Sequence, residues 1–450
     1  KVPVFQQGDN KGLFSSIDSA IDAAEKAFYQ LHQLTLDHRK EMIRQIRKII
    51  MVNLESLSKM AVEETGFGRA EDKIEKHKLV ALKTPGVEDL EPIAYTDDHG
   101  MTLVERAPYG VIGAIIPSTN PTTSVINNTI SMIAGGNTVV FHPHPNAKKC
   151  SCTAVSLINQ AIVDAGGPEN VITALQNPTL ETAQTMMKHP KIRLLVVTGG
   201  PGVVRVAMNS GKKVIAAGPG NPPCVVDETA DIPKAGRDIV RGAGFDNNII
   251  CICEKEILAV SSIADRLKEE MKKNGAYELN KSQIDKLTPL IIEKPGGPGQ
   301  EGFPNKKYVG KNANLIAKEI GLNLPDEIRL LLCEVDSNHP LVWTEQLMPV
   351  MPLVRFNSVE EAIHFAVQCE HGFRHTAIMH SKNIANLSAM AKLMNCSIFI
   401  KNGPSYCGLG FEGAGFTSFT IASPTGEGLT RARTFTRERR CTLVDYFRIV

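Results

Sequence analysis

The sequence has no C-x-x-C pair, although it carries ten cysteines in 450 residues. That density is too low for a disulfide scaffold. The two C-x-C pairs, Cys150/Cys152 and Cys251/Cys253, lack the paired, His-assisted spacing of a zinc site. Free thiols in a reducing, cytoplasmic setting are expected, with no metal. No apolar run approaches the roughly 18 residues that cross a bilayer, and no charged start leads into an apolar signal segment. The chain has no strong excess of either charge: its formal net charge is +2. Neither a nucleic-acid nor a membrane partner is expected from that balance.

The chain is longer than one core usually organises, so two or more domains are expected. Helical spacing covers 16–33, where Ile17, Ala20, Ile21, Ala24, Ala27, Phe28 and Leu31 share a face, and a long helix is predicted over 36–64. A further helix is predicted in "EDKIEKHKLVAL". Short apolar runs then alternate with helices: "VIGAII", "TVVF", "VITAL", "LLVVT", "KVIAA" and "CVVD". After Cys251 a second alternating block contains "ILAV", "IRLLLCEV", "PLVRF", "TAIM" and "SIFI". Continuous apolar strands alternating with helices predict parallel sheets covered on both faces. "TSFTIAS" and "CTLVDYFRIV" read as strands without an intervening helix. The predicted partition is an α/β domain over 1–94 and 109–227, a second α/β domain over 228–415, and a β arm from 95–108 and 416–450.

Two strand-to-helix turns are candidate cofactor sites. In "LLVVTGGPGVVRVAMNSG", Thr198, Gly199, Gly200 and Gly202 leave backbone amides at a helix N-terminus, which attracts phosphate. It is not the G-x-G-x-x-G fingerprint, and a turn that simply needs glycines reads equally well. In "GVIGAIIPSTNPTTSVINN", Pro117 lies at the strand exit and Asn120 at the turn. The Asn120 amide can donate to a developing oxyanion or merely cap the helix after it.

"FDNNIICICEKEILAV" holds Cys251 and Cys253 just before a charged triplet, Glu254-Lys255-Glu256. Its residues leave three readings open: a nucleophile, a ligand pair, or small apolar side chains entering a strand. If the segment is extended, both thiols share one face. Together with "AAGPGNPPCVVD", "EQLMPVMPLV", "HGFRHTAIMHSKN" and the C-terminal "SYCGLGFEGAGFTSFTIASPTGEGLTRARTFTRERRC", this stretch resembles the CoA-acylating aldehyde dehydrogenases, in particular the propionaldehyde and acetaldehyde dehydrogenases of diol and ethanolamine breakdown.

The resemblance implies an aldehyde dehydrogenase-like fold: two Rossmann-like α/β domains, one binding NAD and coenzyme A and one catalytic, plus a β oligomerisation arm joining a dimer or tetramer. It implies Cys251 as nucleophile, with Asn120 and the Cys251 N–H holding the oxyanion. It implies Glu345 as acceptor for the nicotinamide ribose hydroxyls and Cys253 as packing. Pro117, Thr198, Gly199, Gly200 and Gly202 go with the cofactor. His375 is the candidate base for Cys251 or the CoA thiol, with His371 and His380 as competitors.

Two departures from the hydrolytic aldehyde dehydrogenases matter. Their water-activating glutamate has no counterpart, because no acidic residue lies between Lys213 and Asp227. After "TVVF" the sequence reads His142-Pro-His144 where those enzymes carry a lysine on the adenosine ribose. A groove less dedicated to NAD would take NAD first and CoA second; a polar strand exit is the plainer reading of the histidines. The arginines at 431, 433, 437, 439 and 440 read as subunit contacts or a solvated face. The expected activity is oxidation of propanal or acetaldehyde with CoA to acyl-CoA and NADH. The alternatives are a hydrolytic enzyme giving a carboxylic acid and a noncatalytic scaffold or thiol redox sensor. Family context adds packaging in a bacterial microcompartment, with shell proteins as partners.

Overall fold

The computed structural model describes residues 10–450. Residues 1–9 of the predicted first domain lie outside the described residues. The chain divides into two compact units, 1–64 with 74–217 and 416–450, and 65–73 with 218–415.

The first unit is built on a six-stranded parallel sheet. Its spatial order is Leu13–Phe14, Ile172–Leu175, Thr138–His142, Val111–Ile115, Ile192–Thr198 and Lys213–Ala217. The middle strands are buried on both faces, which is why they are continuous apolar runs rather than alternating ones. The amphipathic helix Ile17–Leu31 lays Ile17, Ala20, Ile21 and Ala24 on this sheet. The helix Pro121–Ala134 is buried along its whole length. The single helix predicted over 36–64 is two, Leu36–Val52 and Leu54–Thr65. Asn53 separates them, leaving the helical region at φ −107° and ψ 15°, with its side chain turned back on the Ile49 carbonyl.

A three-stranded antiparallel sheet of Ile93–Asp97, Gly100–Pro108 and Thr436–Val444 belongs to the same unit. The long pairing runs from Thr436 against Pro108 to Val444 against Gly100. Segment 416–435 does not extend this sheet. It forms a two-residue strand pair, Ile421–Ala422 with Gly428–Leu429, and its buried Ser418 and Thr420 bond Asn127 and Asn128. "TSFTIAS" is therefore strand only at Ile421 and Ala422, because its hydroxyls serve a buried polar cluster instead of a ladder. Arg431 pairs with Asp89, and Arg433 bonds the Asp89 carboxylate and carbonyl, whereas 437, 439 and 440 are exposed on the last strand.

The second unit holds a seven-stranded parallel sheet, ordered Ala276–Leu279, Leu330–Glu334, Val350–Phe356, Glu256–Val260, Pro223–Val226, Thr376–His380 and Ile398–Lys401. "CVVD", read above with the first block, lies near the middle of this second sheet. Cys224 pairs with Ile257 on one side and Ile378 on the other. A buried apolar run fits either sheet, so its own pattern could not say which. The segment 65–73 also sits in this unit, held by Asp246 (below). The Pro/Gly-rich loop at 293–305 contains a short antiparallel pair, Ile292–Lys294 with Phe303–Pro304.

Candidate active site

Cys251 follows a left-handed run. Asp246, Asn247 and Asn248 have φ of 48°, 54° and 63°, a conformation that side-chain-bearing residues rarely take three times in succession. The run is held by its own side chains. The Asp246 carboxylate accepts from the Arg69 backbone N–H at 2.8 Å and from Lys73 Nζ at 2.9 Å, while its N–H donates to Asp72. Asn247 accepts from Arg69 Nε and donates to the Gly310 carbonyl and to Asn312 Oδ1. Asn248 donates to the Ala243 and Glu254 carbonyls. The asparagines before the cysteines are therefore a scaffold, and Asn is among the residues that tolerate this backbone region best.

The chain then turns instead of extending: the Cys253 N–H bonds the Ile250 carbonyl at 3.1 Å, and no strand begins before Glu256. The extended geometry that would put both thiols on one face does not occur. Cys251 is partly accessible and Cys253 fully buried, as a packing residue would be. Among the described residues, no group of three or more His, Cys, Asp or Glu could hold a metal ion.

Around Cys251 lie Gly220, His375, Glu345 and Lys255. A Cβ on Gly220 would stand 2.6 Å from the Cys251 carbonyl oxygen and 3.0 Å from His375 Cγ, so glycine is what lets this loop pass. This is the acid-free "AAGPGNPP" stretch, here apposed to the backbone of Cys251. The Gly220 N–H donates to Glu345 Oε1 at 3.1 Å. Burial raises the Glu345 carboxyl to about 7 against the opposing effect of Lys255. Burial, then the negative charge of Glu345, pushes the Cys251 thiol up to about 12, with Lys255 pulling the other way. A thiol so placed gives little thiolate at neutral pH until something removes its proton or compensates its charge.

His375 is buried and, for that reason, held far below the usual imidazole range, at about 3. It is therefore neutral. Its Nδ1 bonds the Thr376 hydroxyl at 2.8 Å, and its Nε2 is buried without a partner. The Glu370 carboxylate accepts the His375 backbone N–H at 2.9 Å, and its backbone bonds extend to Arg374, Gly372 and Phe373, so the loop is wrapped on that acid. Of the competing histidines, His371 bonds the Trp343 carbonyl and His380 lies at the end of the strand Thr376–His380.

In the first unit Asn120 begins the buried helix Pro121–Ala134 without capping it by its side chain. Its Oδ1 accepts from Lys76 Nζ at 2.5 Å, and its Nδ2 makes only a long contact, 3.4 Å, to the Thr119 hydroxyl. Lys76 thus fixes which end of the amide is spent and which remains to donate. The turn after Ile192–Thr198 enters the helix Pro201–Met208 with no side-chain cap at Gly200, and a Cβ on Gly200 or Gly202 would meet nothing within 4 Å. The Thr198 hydroxyl is buried and unpartnered. Uncapped amides above open space fit a dinucleotide phosphate. Pro117 is half-buried in the loop after Val111–Ile115. His142 is 5 % exposed, its Nε2 bonds the Thr182 hydroxyl at 2.9 Å, and burial lowers it to about 4. Here it is a neutral strand-exit residue engaged with its own unit, and His144 accepts from the Asn146 N–H in the next turn.

Lys255, Gly220, Glu370, Lys76 and the Arg69–Lys73 segment went unnoticed as site residues. Only the triplet Glu254-Lys255-Glu256 gave a visible signal, because a charged run entering an apolar strand has to be buried.

A partly accessible cysteine near an oriented imidazole in the second unit, and a helix N-terminus suited to a dinucleotide phosphate in the first, are features found in oxidoreductases that work through a covalent cysteine. The aldehyde dehydrogenase family profile matches residues 11–291. The chain is 51 % identical to an acetylating acetaldehyde dehydrogenase from Salmonella typhimurium, over 98 % of this chain and 94 % of that one. It is 47 % identical to a CoA-propanoylating propanal dehydrogenase from the same organism, over 100 % of this chain and 95 % of that one. A Rhodopseudomonas palustris propionaldehyde dehydrogenase, solved with bound CoA and an acylated cysteine, superposes with a TM-score of 0.94 at 48 % identity, covering 97 % of this chain and 98 % of that one. A propionaldehyde dehydrogenase from the fucose utilisation microcompartment of Clostridium phytofermentans gives the same TM-score and identity, covering 98 % and 100 %. The chain belongs to the aldehyde dehydrogenase family, and within it to the CoA-acylating branch.

Proposed function

We propose that this protein converts a short aliphatic aldehyde, propanal or acetaldehyde, with coenzyme A to the acyl-CoA and NADH. The observation that carries the reading is the glycine loop: Gly220 lies against the backbone of Cys251 where no side chain of that stretch can activate water. Cys251 is the nucleophile. Its sulfur forms a bond to the carbonyl carbon as the thiol proton passes through His375 to solvent, and the carbonyl oxygen becomes an oxyanion. The resemblance gives the Cys251 N–H and the Asn120 amide, the latter oriented within its own unit by Lys76, as donors to that oxygen. Collapse of the thiohemiacetal expels a hydride and leaves a thioester on Cys251. NAD, when bound, supplies the acceptor for that hydride. Thr198, Gly199, Gly200 and Gly202 would hold its phosphates, with Pro117 and His142 at the ends of the adjoining strands, and by resemblance Glu345 would hold ribose hydroxyls. The neutral His375 takes the proton from the CoA thiol, whose sulfur then displaces Cys251. Protonation of the departing sulfur closes the cycle.

The similarity to a microcompartment enzyme supports packaging in such a shell, with shell proteins as partners. The exposed strand Thr436–Val444, as a β arm, supports a homo-oligomer. Among the described residues no helix is long and apolar enough to cross a membrane.

The test is NADH formation from propanal, with and without CoA, in the wild type and in Cys251→Ala and Cys253→Ala. Loss of about 10³-fold or more is expected in Cys251→Ala alone, with strict dependence on CoA. Activity surviving in Cys251→Ala would refute the assignment.

A further inference from the structure

Lys255 is fully buried, and its ammonium makes three hydrogen bonds: to the Asn248 carbonyl at 3.0 Å, to Asn248 Oδ1 at 2.5 Å and to the Ile250 carbonyl at 3.2 Å. All three acceptors are uncharged. They use every N–H the group has. A buried ammonium held only by carbonyl dipoles is expensive, and it persists only where its charge does something. The acceptors flank the nucleophile: Asn248 is the last left-handed residue of the turn, and Ile250 immediately precedes Cys251.

The charged and titratable groups that face this region all feel that cation. Lys255 favours the ionised forms of Cys251, Glu345, Glu254 and Glu256 and disfavours protonated His375. Glu254 accepts from the Ser405 N–H and hydroxyl, and Glu256 Oε1 from the Cys369 thiol, while Glu256 Oε2 is buried without a partner. Opposing it at Cys251 are Glu345 and, weakly, Cys253. Of these groups, Cys251 is the one on which the proposed reaction itself develops a negative charge.

We propose that Lys255 is a positioning residue for Cys251 and its fixed counter-charge: it locks the backbone entering the nucleophile and offsets the negative charge on the sulfur. This rests on Cys251 being the nucleophile, as proposed above. The two statements separate experimentally. Cys251→Ala activity decides the first, and reactivity of the sulfur without any substrate decides the second.

The experiment is the pH dependence of iodoacetamide alkylation of Cys251, followed by mass spectrometry of its peptide in the full-length protein. It compares the wild type with Lys255→Gln, which keeps two N–H donors and loses the charge, and with Lys255→Arg, which keeps the charge. In Lys255→Gln the midpoint should move up by at least about one pH unit, with alkylation at pH 8 slowed about tenfold. Lys255→Arg should hold the midpoint close to that of the wild type. A slower rate with an unmoved midpoint in Lys255→Gln would reduce Lys255 to a structural bracket and overturn the proposal. If the glutamine variant does not fold, Lys255→Arg decides: a midpoint raised by a full unit despite the retained charge overturns it, and a held midpoint with retained turnover supports it.

Discussion

At Cys251 a partly accessible sulfur lies near a carboxyl and a lysine, and a glycine lies against the residue's own carbonyl. Gly220 is the residue on which this arrangement turns. Its conformation is ordinary; what matters is the absence of a side chain where the loop meets Cys251 and His375. Gly220→Ala would drive a methyl group to 2.6 Å from the Cys251 oxygen and 3.0 Å from His375, and backbone would have to yield. We expect kcat to fall at least tenfold and stability to fall by about 1–3 kcal/mol, read by steady-state kinetics and by urea unfolding. Unchanged kcat would mean that the loop does not hold the nucleophile. The candidate nucleophile, the family glutamate and the histidine were legible as single residues because their motifs are distinctive. Lys255 and Glu370 were not, because an ordinary charged residue becomes informative only once its burial and partners are known.

The left-handed turn at 246–248 shows where reading by element runs out. The strands were legible, since a continuous apolar run of five or so residues between polar helices has few alternatives. The turn was not: its Asp246 and Asn247 are held by Arg69, Asp72 and Lys73, far away in sequence. The same distance hid the sheet to which Pro223–Val226 belongs. Asn247→Ala tests the turn. It removes the bonds to Arg69, Gly310 and Asn312 and places alanine at φ 54°. A loss of about 3 kcal/mol is expected from the unsatisfied buried groups and the left-handed backbone together, measured by urea unfolding. A change below about 0.5 kcal/mol, the level of an ordinary surface substitution, would show that the turn holds without Asn247.

Over the whole molecule, buried ionisable groups set how stability follows pH. His142, His375 and His380 are lowered by burial to about 4, 3 and 4. The unfolded chain takes up their protons first, so they make stability fall as pH drops below 6.5. Glu254, raised by burial to about 7, and Glu256, raised well above the usual 4.5, act in the opposite sense. The unfolded chain ionises these carboxyls first, so stability falls as pH rises through about 4.5 to 7 for Glu254, and further for Glu256. The two trends oppose each other between 4.5 and 6.5, and above that only the carboxyls remain. We expect stability to decline from pH 6.5 to 8, and Glu256→Gln, which mimics the neutral acid, to flatten that decline. Identical slopes in urea unfolding across that range would exclude Glu256 as a cause.

In the proposed cycle the acyl group passes from Cys251 to a thiol and not to water. Glu345 is the carboxylate whose charge Cys251 feels, and it titrates in the working range, so it is the group that would make hydrolysis happen if anything did. The direct measurement is the product made from propanal and NAD⁺, quantified by mass spectrometry with CoA in excess and with CoA withheld. With CoA, propanoyl-CoA should equal NADH mole for mole. Without it, NADH should stop near one per active site while the Cys251 peptide carries a propanoyl group. Continuous NADH formation without CoA, with propanoic acid accumulating, would contradict the account.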